Sequence, residues 1–261
     1  MARYGMVIDL HKCTGCGACA IACKLENNTP DRNETQHFNW ADYHISMEGE
    51  FPNLKYQILP VLCNHCTNAP CVAACPVSPK AMYKSPEGLT LHNDERCIGC
   101  RLCQHACPYS DPDLSRGESQ YSVISYNDSN PTHPFYRNDT VIIAGCTSSG
   151  AEVAEKVGTI PPHANIFDHP DYKPVRKPNV TEKCMLCDHR RIEGLEPYCV
   201  VSCPAGARVW GDFDDPESRV SKLIMQYPAK RLKNNKGEWL GEGEEGTSPN
   251  VYYIRSYQIE K

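Results

Sequence analysis

The sequence is short of the signals that announce most soluble enzymes. It holds no GxGxxG turn after a strand, no P-loop, no GxSxG elbow and no HExxH helix, which leaves dinucleotide, nucleotide, acyl-transfer and zinc-protease chemistry without a site. Scattered His and Ser residues support no triad. Basic charge is not in excess: 27 Lys and Arg against 32 Asp and Glu give a formal net charge of −5. That is the opposite of a nucleic-acid footprint. No apolar run approaches the ~20 residues of a membrane span. The opening MARYGMVIDLHKC reaches its first cysteine with no charged-then-apolar leader, so the expectation is a chain that neither exports nor anchors itself.

What the sequence has is cysteine: 17 in 261 residues. Sixteen of them fall into four groups of four. The third group, CIGCRLCQHACP, is Cys97, Cys100, Cys103 and Cys107 followed by Pro108. This is the C-x2-C-x2-C-x3-C-P run that holds a cubane iron–sulfur cluster. Three thiolates on a tight loop reach three corners of one cube. The fourth is expected to open a short helix that points away, toward the other cube of a pair. The remaining groups vary this theme. The first is Cys13, Cys16, Cys19, Cys23, followed by Lys24. The second is Cys63, Cys66, Cys71, Cys75, then Pro76. The fourth is Cys184, Cys187, Cys199, Cys203, then Pro204, with eleven residues before its third member. A disulfide-rich secreted chain and a zinc module built from CxxC pairs are the competing readings; neither needs the x2-x2-x3-C-P run. Hydrophobic residues reach 40 % only with the cysteines counted, and mean hydropathy is −0.53. The organic core is thin, so clusters are expected to complete it and a metal-free chain to unfold or aggregate.

Short strands lead into the groups. Tyr4 to Ile8, Lys55 to Leu62 and Leu89 to Leu91 read as strands, and Ala18 to Leu25 as a helical turn carrying Cys23. The unit repeats with the cysteines, which predicts an α+β fold of tandem ferredoxin-like two-cluster modules in a pseudo-twofold relation, plus an insertion and an extended C-terminal tail. The expected divisions are residues 1–62 with 180–212 (outer module), 63–107 (inner module), 108–179 (insertion) and 213–261 (helix and tail). Asn27 to Glu50 reads as an irregular excursion, Val141 to Ala144 as a strand and Ala151 to Val157 as a short helix. Asp215 and Pro216 read as the cap and first residue of a helix whose stripe is Val220, Leu223, Ile224 and Tyr227. Lys230 to Asn250 reads as a surface arm, and Val251 to Ile254 as a last strand.

The crossing rule for two-cluster ferredoxins predicts the ligand sets. Cys13, Cys16, Cys19 and Cys203 would hold cluster A; Cys184, Cys187, Cys199 and Cys23 cluster B. Cys63, Cys66, Cys71 and Cys107 would hold cluster C; Cys97, Cys100, Cys103 and Cys75 cluster D. Self-contained quartets are the alternative. Full cysteine ligation leaves no open iron, so the chain is read as a wire rather than a catalyst. Lys12, Lys24, Arg101 and Lys183 adjoin ligands and are read singly as solvated charges. His65 and His105 are read as packing or hydrogen-bonding residues, and Cys146 as a buried small hydrophobe.

The runs DLHKCTGCGACAIACK, LCNHCTNAPCVAACP, ERCIGCRLCQHACPY and EKCMLCDHR…PYCVVSCPAGAR resemble the four-cluster electron-transfer subunits of the dimethyl-sulfoxide-reductase family of molybdenum enzymes. KYQILPVLCNHC, GDFDDPESRVSKLI and VYYIRS look most like the small subunits of respiratory arsenate reductases; tetrathionate, thiosulfate, polysulfide and selenate reductases, and arsenite oxidases, are the alternatives. The resemblance implies four [4Fe-4S] clusters in crossed pairing on all sixteen positions. It implies a large catalytic partner holding a molybdenum bis-pterin, and a membrane quinol-oxidising subunit or soluble cytochrome as the other redox partner. It also implies periplasmic residence by co-export with a twin-arginine-bearing partner, with the cytoplasm as the alternative. A free-standing polyferredoxin is the competing class; the insertion and tail speak against it.

Overall fold

The computed structural model describes residues 2–29, 36–37, 39–110, 120–127, 148–158, 167–173, 177–234, 236, 238 and 246–255. The first strand, β1 (Tyr4–Asp9), feeds the first cysteine loop and then α1 (Ala18–Asn27). A two-residue β2 (Gln36–His37) precedes the hairpin of β3 (Ala41–Glu48) and β4 (Lys55–Leu62), and β4 leads into the second group. There follow α2 (Pro70–Ala73), the small hairpin β5 (Met82–Lys84) and β6 (Thr90–His92), the third group, and α3 (Leu102–Ala106). Beyond it lie β7 (Gln120–Tyr121), β8 (Ile124–Asn127) and α4 (Gly150–Lys156). Then β9 (Val180–Lys183) feeds the fourth group, around which sit α5 (Asp188–Ile192) and α6 (Tyr198–Val201). The chain closes with β10 (Arg208–Asp212), α7 (Arg219–Gln226), β11 (Ala229–Lys230) and β12 (Val251–Ile254).

Among the described residues the largest sheet has the order β10-β1-β12-β11. The strand entering the first cysteine group therefore pairs, antiparallel, with the strand leaving the fourth, Tyr4 opposite Asp212 through Ile8 opposite Arg208. Side chains alternate across a strand, and β1 uses both faces. Met6 and Ile8 enter the main core among the cysteines, while Val7 enters a second core with Val209, Phe213, Val220 and Ile254. Helix α7 covers that second face. Leu223, Ile224 and Tyr227 pack there beside Val220, so the apolar stripe read from the sequence is the buried one. Full burial of Val220 alone contributes about 1.5–3 kcal/mol.

Three local expectations are corrected. First, Asn27 to Glu50 is not irregular throughout: β3 pairs with β4 over eight residues, Ala41 with Leu62 through Glu48 with Lys55. Its outer half is exposed, so it carries little apolar alternation, and its order comes from the partner strand. Second, the cap of α7 is Ser218, whose hydroxyl accepts from Ser221 N at 3.2 Å. Asp215 instead accepts from Glu217 N through its carboxylate (2.9 Å), a local turn that delays the helix by three residues. Third, Lys230 to Asn250 is not all a surface arm. Lys230 ends β11, and Thr247, Ser248 and Asn250 are buried, with Thr67 N and Asn68 N donating to Ser248 O and Thr247 O. Val141 to Ala144 and Cys146 lie outside the described residues.

Candidate functional site

The four cysteine groups share one local geometry. In each, the residue before the second cysteine has a left-handed backbone: Gly15, His65, Gly99 and Leu186, with φ of 68°, 44°, 68° and 50°. This bend turns main-chain N–H groups inward. Gly99 N donates to Cys97 Sγ and Leu186 N to Cys184 Sγ, both at 3.4 Å. At Gly99 the lack of a side chain is compulsory, because a Cβ would stand 2.1 Å from Asn179 O.

In each group the third cysteine is the second residue of a short helix: Cys19 in α1, Cys71 in α2, Cys103 in α3 and Cys199 in α6. The fourth follows four residues later. This reverses one expectation, since the third cysteine opens the helix and the fourth lies at or past its end, except Cys23, which stays inside the longer α1. One turn of helix separates the two thiols along the axis, so they face different cavities. Helix α1 packs on α6 and α2 on α3, which brings groups one and four together, and groups two and three.

Cys13, Cys16, Cys19 and Cys203 line one cavity of about 350 Å³. Cys63, Cys66, Cys71 and Cys107 line a second of about 340 Å³. Cys75, Cys97, Cys100 and Cys103 line a third of about 300 Å³. Cys23, Cys184, Cys187 and Cys199 are all buried and mutually close: burial, then each of the other three thiols, pushes the Cys23 thiol well up. Asn27 Nδ2 reaches both Cys23 Sγ (3.5 Å) and Cys187 Sγ (3.8 Å). The foursomes lie in a row. Cys199 feels Cys19 of the first cavity, and Cys184 feels Cys63 of the second. The exposed thiols, Cys16 and Cys100, sit at opposite ends of that row.

These residues fit iron–sulfur cubes better than single ions. Among the described residues no three of His, Cys, Asp or Glu converge to hold one metal ion, whereas zinc would draw four sulfurs to ~2.3 Å from one point. The thiols stand instead around the walls of cavities. Burial favours the neutral thiol: burial and neighbouring thiols push Cys66 and Cys184 up to about 12, and burial pushes Cys103 to about 11. Cys97 is the exception. Burial opposes ionisation there, but hydrogen bonding from His92 brings it down to about 6. Metal loading must therefore expel protons from most of the set.

Polar groups ring the sulfurs, and the sequence reading missed most of them. Tyr43 OH lies 2.9 Å from Cys19 Sγ. Thr181 Oγ1 lies 3.6 Å from Cys97 Sγ and 3.5 Å from Cys103 Sγ. Thr247 and Arg208 favour the ionised forms of Cys66 and Cys199 against the effect of burial. No spacing rule finds these, because each comes from a distant segment. Of the charges beside ligands, Lys12 is exposed and Lys24 half-buried, while Arg101 lies 5.0 Å over the Tyr126 ring. Lys183 overturns its solvated reading: it is wholly buried. His65 is also wholly buried, its Nδ1 accepting from Thr90 N at 3.1 Å, and burial with Lys183 and Lys84 keeps it neutral. His105 is exposed.

Comparison with known proteins agrees with this chemistry. The family described as 4Fe-4S dicluster domain matches twice, over residues 12–79 and 54–122, both matches including the second cysteine group. The arsenate respiratory reductase iron-sulfur subunit ArrB of Shewanella sp. (strain ANA-3) is 43 % identical over 98 % of each chain. A putative iron-sulfur subunit of a dimethyl sulfoxide reductase from Halobacterium salinarum is 34 % identical, over 97 % of this chain and 79 % of that one. A tetrathionate reductase subunit from Salmonella typhimurium is 31 % identical, over 97 % and 72 %. The protein carries four [4Fe-4S] clusters, and what they supply is one-electron transfer. A chain with these cysteine foursomes and these full-length relatives belongs to the iron–sulfur electron-transfer subunits of the dimethyl-sulfoxide-reductase family of molybdenum enzymes.

Proposed function

We propose that the chain is the electron-transfer subunit of a respiratory arsenate reductase, joined to a large molybdopterin catalytic subunit that alone touches substrate. The 43 % identity to the Shewanella protein along its whole length supports arsenate over tetrathionate or selenate. The ligand sets follow the foursomes: Cys13, Cys16, Cys19 and Cys203 for A; Cys23, Cys184, Cys187 and Cys199 for B; Cys63, Cys66, Cys71 and Cys107 for C; Cys75, Cys97, Cys100 and Cys103 for D. The observation that carries this reading is the row of foursomes, each combining three cysteines of one group with the fourth of another. A and D are the terminal stations, where thiols reach the surface; B and C lie between.

The shared loop and helix geometry supports a pseudo-twofold relation between an outer module (1–62 with 180–212) and an inner one (63–107), with 108–179 inserted and 213–261 closing the sheet. The second redox partner is a membrane quinol-oxidising subunit or a soluble cytochrome. No helix among the described residues is long and apolar enough to cross a membrane. Residence is periplasmic, by export with a twin-arginine-bearing catalytic partner. The test is anaerobic co-purification of the two subunits, with iron and sulfide counted and reduced-dye oxidation measured with arsenate, tetrathionate and selenate. About sixteen irons per chain and a strong preference for arsenate are expected. A chain that purifies alone would sink the complex, and equal turnover of the three oxyanions would sink arsenate.

A further inference from the structure

Two cations are buried at the junctions between neighbouring foursomes. Lys183 is wholly buried, and its ammonium donates to the main-chain oxygens of Thr90 and, at 2.7 Å, of Cys184. Thr90 lines the cavity of Cys63, Cys66, Cys71 and Cys107, whereas Cys184 belongs to the next foursome. Arg208 is 4 % exposed and lines the cavity of Cys13, Cys16, Cys19 and Cys203, and its positive charge also acts on Cys199 of the neighbouring foursome. Among the described residues neither forms an ion pair with a carboxylate; Arg208 Nη1 lies 3.6 Å from Met6 Sδ, and its Nη2 makes no hydrogen bond. Burying a lone charge is strongly destabilising. The counter-charge these two require is an anion in the cavities beside them. At the far foursome the arrangement differs: His92 is paired with Asp94 at 3.0 Å.

We infer that Lys183 and Arg208 are fixed electrostatic bridges, Lys183 between cubes B and C and Arg208 between A and B, each raising the potentials of both cubes it separates. This rests on the ligand sets proposed above. A cysteine-ligated cube is anionic and gains a further negative charge on reduction, so a fixed cation in a low-dielectric wall favours the reduced form. Cube B is flanked by both cations, and cube D by neither.

The test is potentiometric EPR titration of the anaerobically purified complex, each cube assigned through a single-ligand variant, with iron counted throughout. Lys183→Gln keeps a donor for the Thr90 carbonyl and removes the charge. It should lower the midpoints of B and C by a tenfold change in their reduction equilibrium, about 59 mV, and leave A and D in place. Lys183→Arg should restore both. Arg208→Gln should move A and B alone, and Arg208→Lys restore them. Full iron with unmoved potentials, or an equal shift of all four cubes, would overturn the inference. So would loss of iron in both Gln variants while the charge-conserving exchanges keep it, since the cations would then be assembly struts only. Clearly fewer than sixteen irons in the unsubstituted chain would instead overturn the four-cube assignment.

Discussion

The foursome in the middle of the row and the one at its far end are built by opposite means. Cys23, Cys184, Cys187 and Cys199 are all buried and come from segments at the two ends of the sequence. They meet because β1 pairs with β10 and α1 packs on α6. Cys75, Cys97, Cys100 and Cys103 come from within thirty residues, and Cys100 is exposed. The first site is made by the fold, and the second by a local loop, a hairpin and two short helices. The difference separates two duties. Interior stations need enclosure, fixed charge and no water. Terminal stations need a surface that a partner's redox centre can approach.

The strongest way to break this contrast is to remove the metal. Stripping iron with an anaerobic chelator should abolish the cooperative thermal transition of the whole chain, because most thiols in the main core would face empty cavities. A metal-free chain that melts with an unchanged midpoint would show that the organic core suffices. Next in size is a pair of ligand changes. Cys199→Ser should cost soluble yield and more than one cube, whereas Cys100→Ser should leave about twelve irons; equal losses in an iron assay would erase the distinction between fold-made and loop-made sites. A smaller pair tests the loop itself. Gly99→Ala adds a Cβ against Asn179 O in a left-handed conformation and should cost about 3 kcal/mol. Gly17→Ala, equally left-handed but open on all sides, should cost about 1 kcal/mol. Chemical denaturation of the loaded protein compares them, and equal costs would refute the steric argument. The smallest effect is expected from Thr181→Val, which removes one hydroxyl from Cys97 and Cys103. The midpoint of D should fall slightly, and those of the other cubes stay put.

The cysteine spacing carried a large part of this architecture in plain view. Strands before the first, second and third groups, the two-module repeat and the stripe of α7 are all written in local periodicity. The hairpin strand β3 was illegible because its outer residues, Ile45 and Met47 among them, are exposed and follow no buried pattern. The start of α7 was misplaced because Asp215 competes as a turn-former with Ser218 as a cap. Lys183 and Arg208 were beyond sequence reasoning for a different reason. A lysine beside a cysteine is ordinarily solvated, and nothing in EKC or GARV says that Thr90 of β6 will accept from the lysine or that Met6 of β1 will lie against the arginine. Burial is a property of the assembled modules, and the electrostatics follow from burial.

The union of the first and fourth cysteine groups has a consequence for the order of manufacture. Cys13 to Cys23 leave the ribosome early, but the thiols that complete their foursomes are synthesised about 180 residues later. At roughly 5–20 residues per second that is a wait of about nine to thirty-six seconds. Groups two and three are complete once Cys107 has emerged. The half of the molecule begun first is therefore finished last, and its early thiols need shielding from oxidation and stray metal until the closing strands arrive.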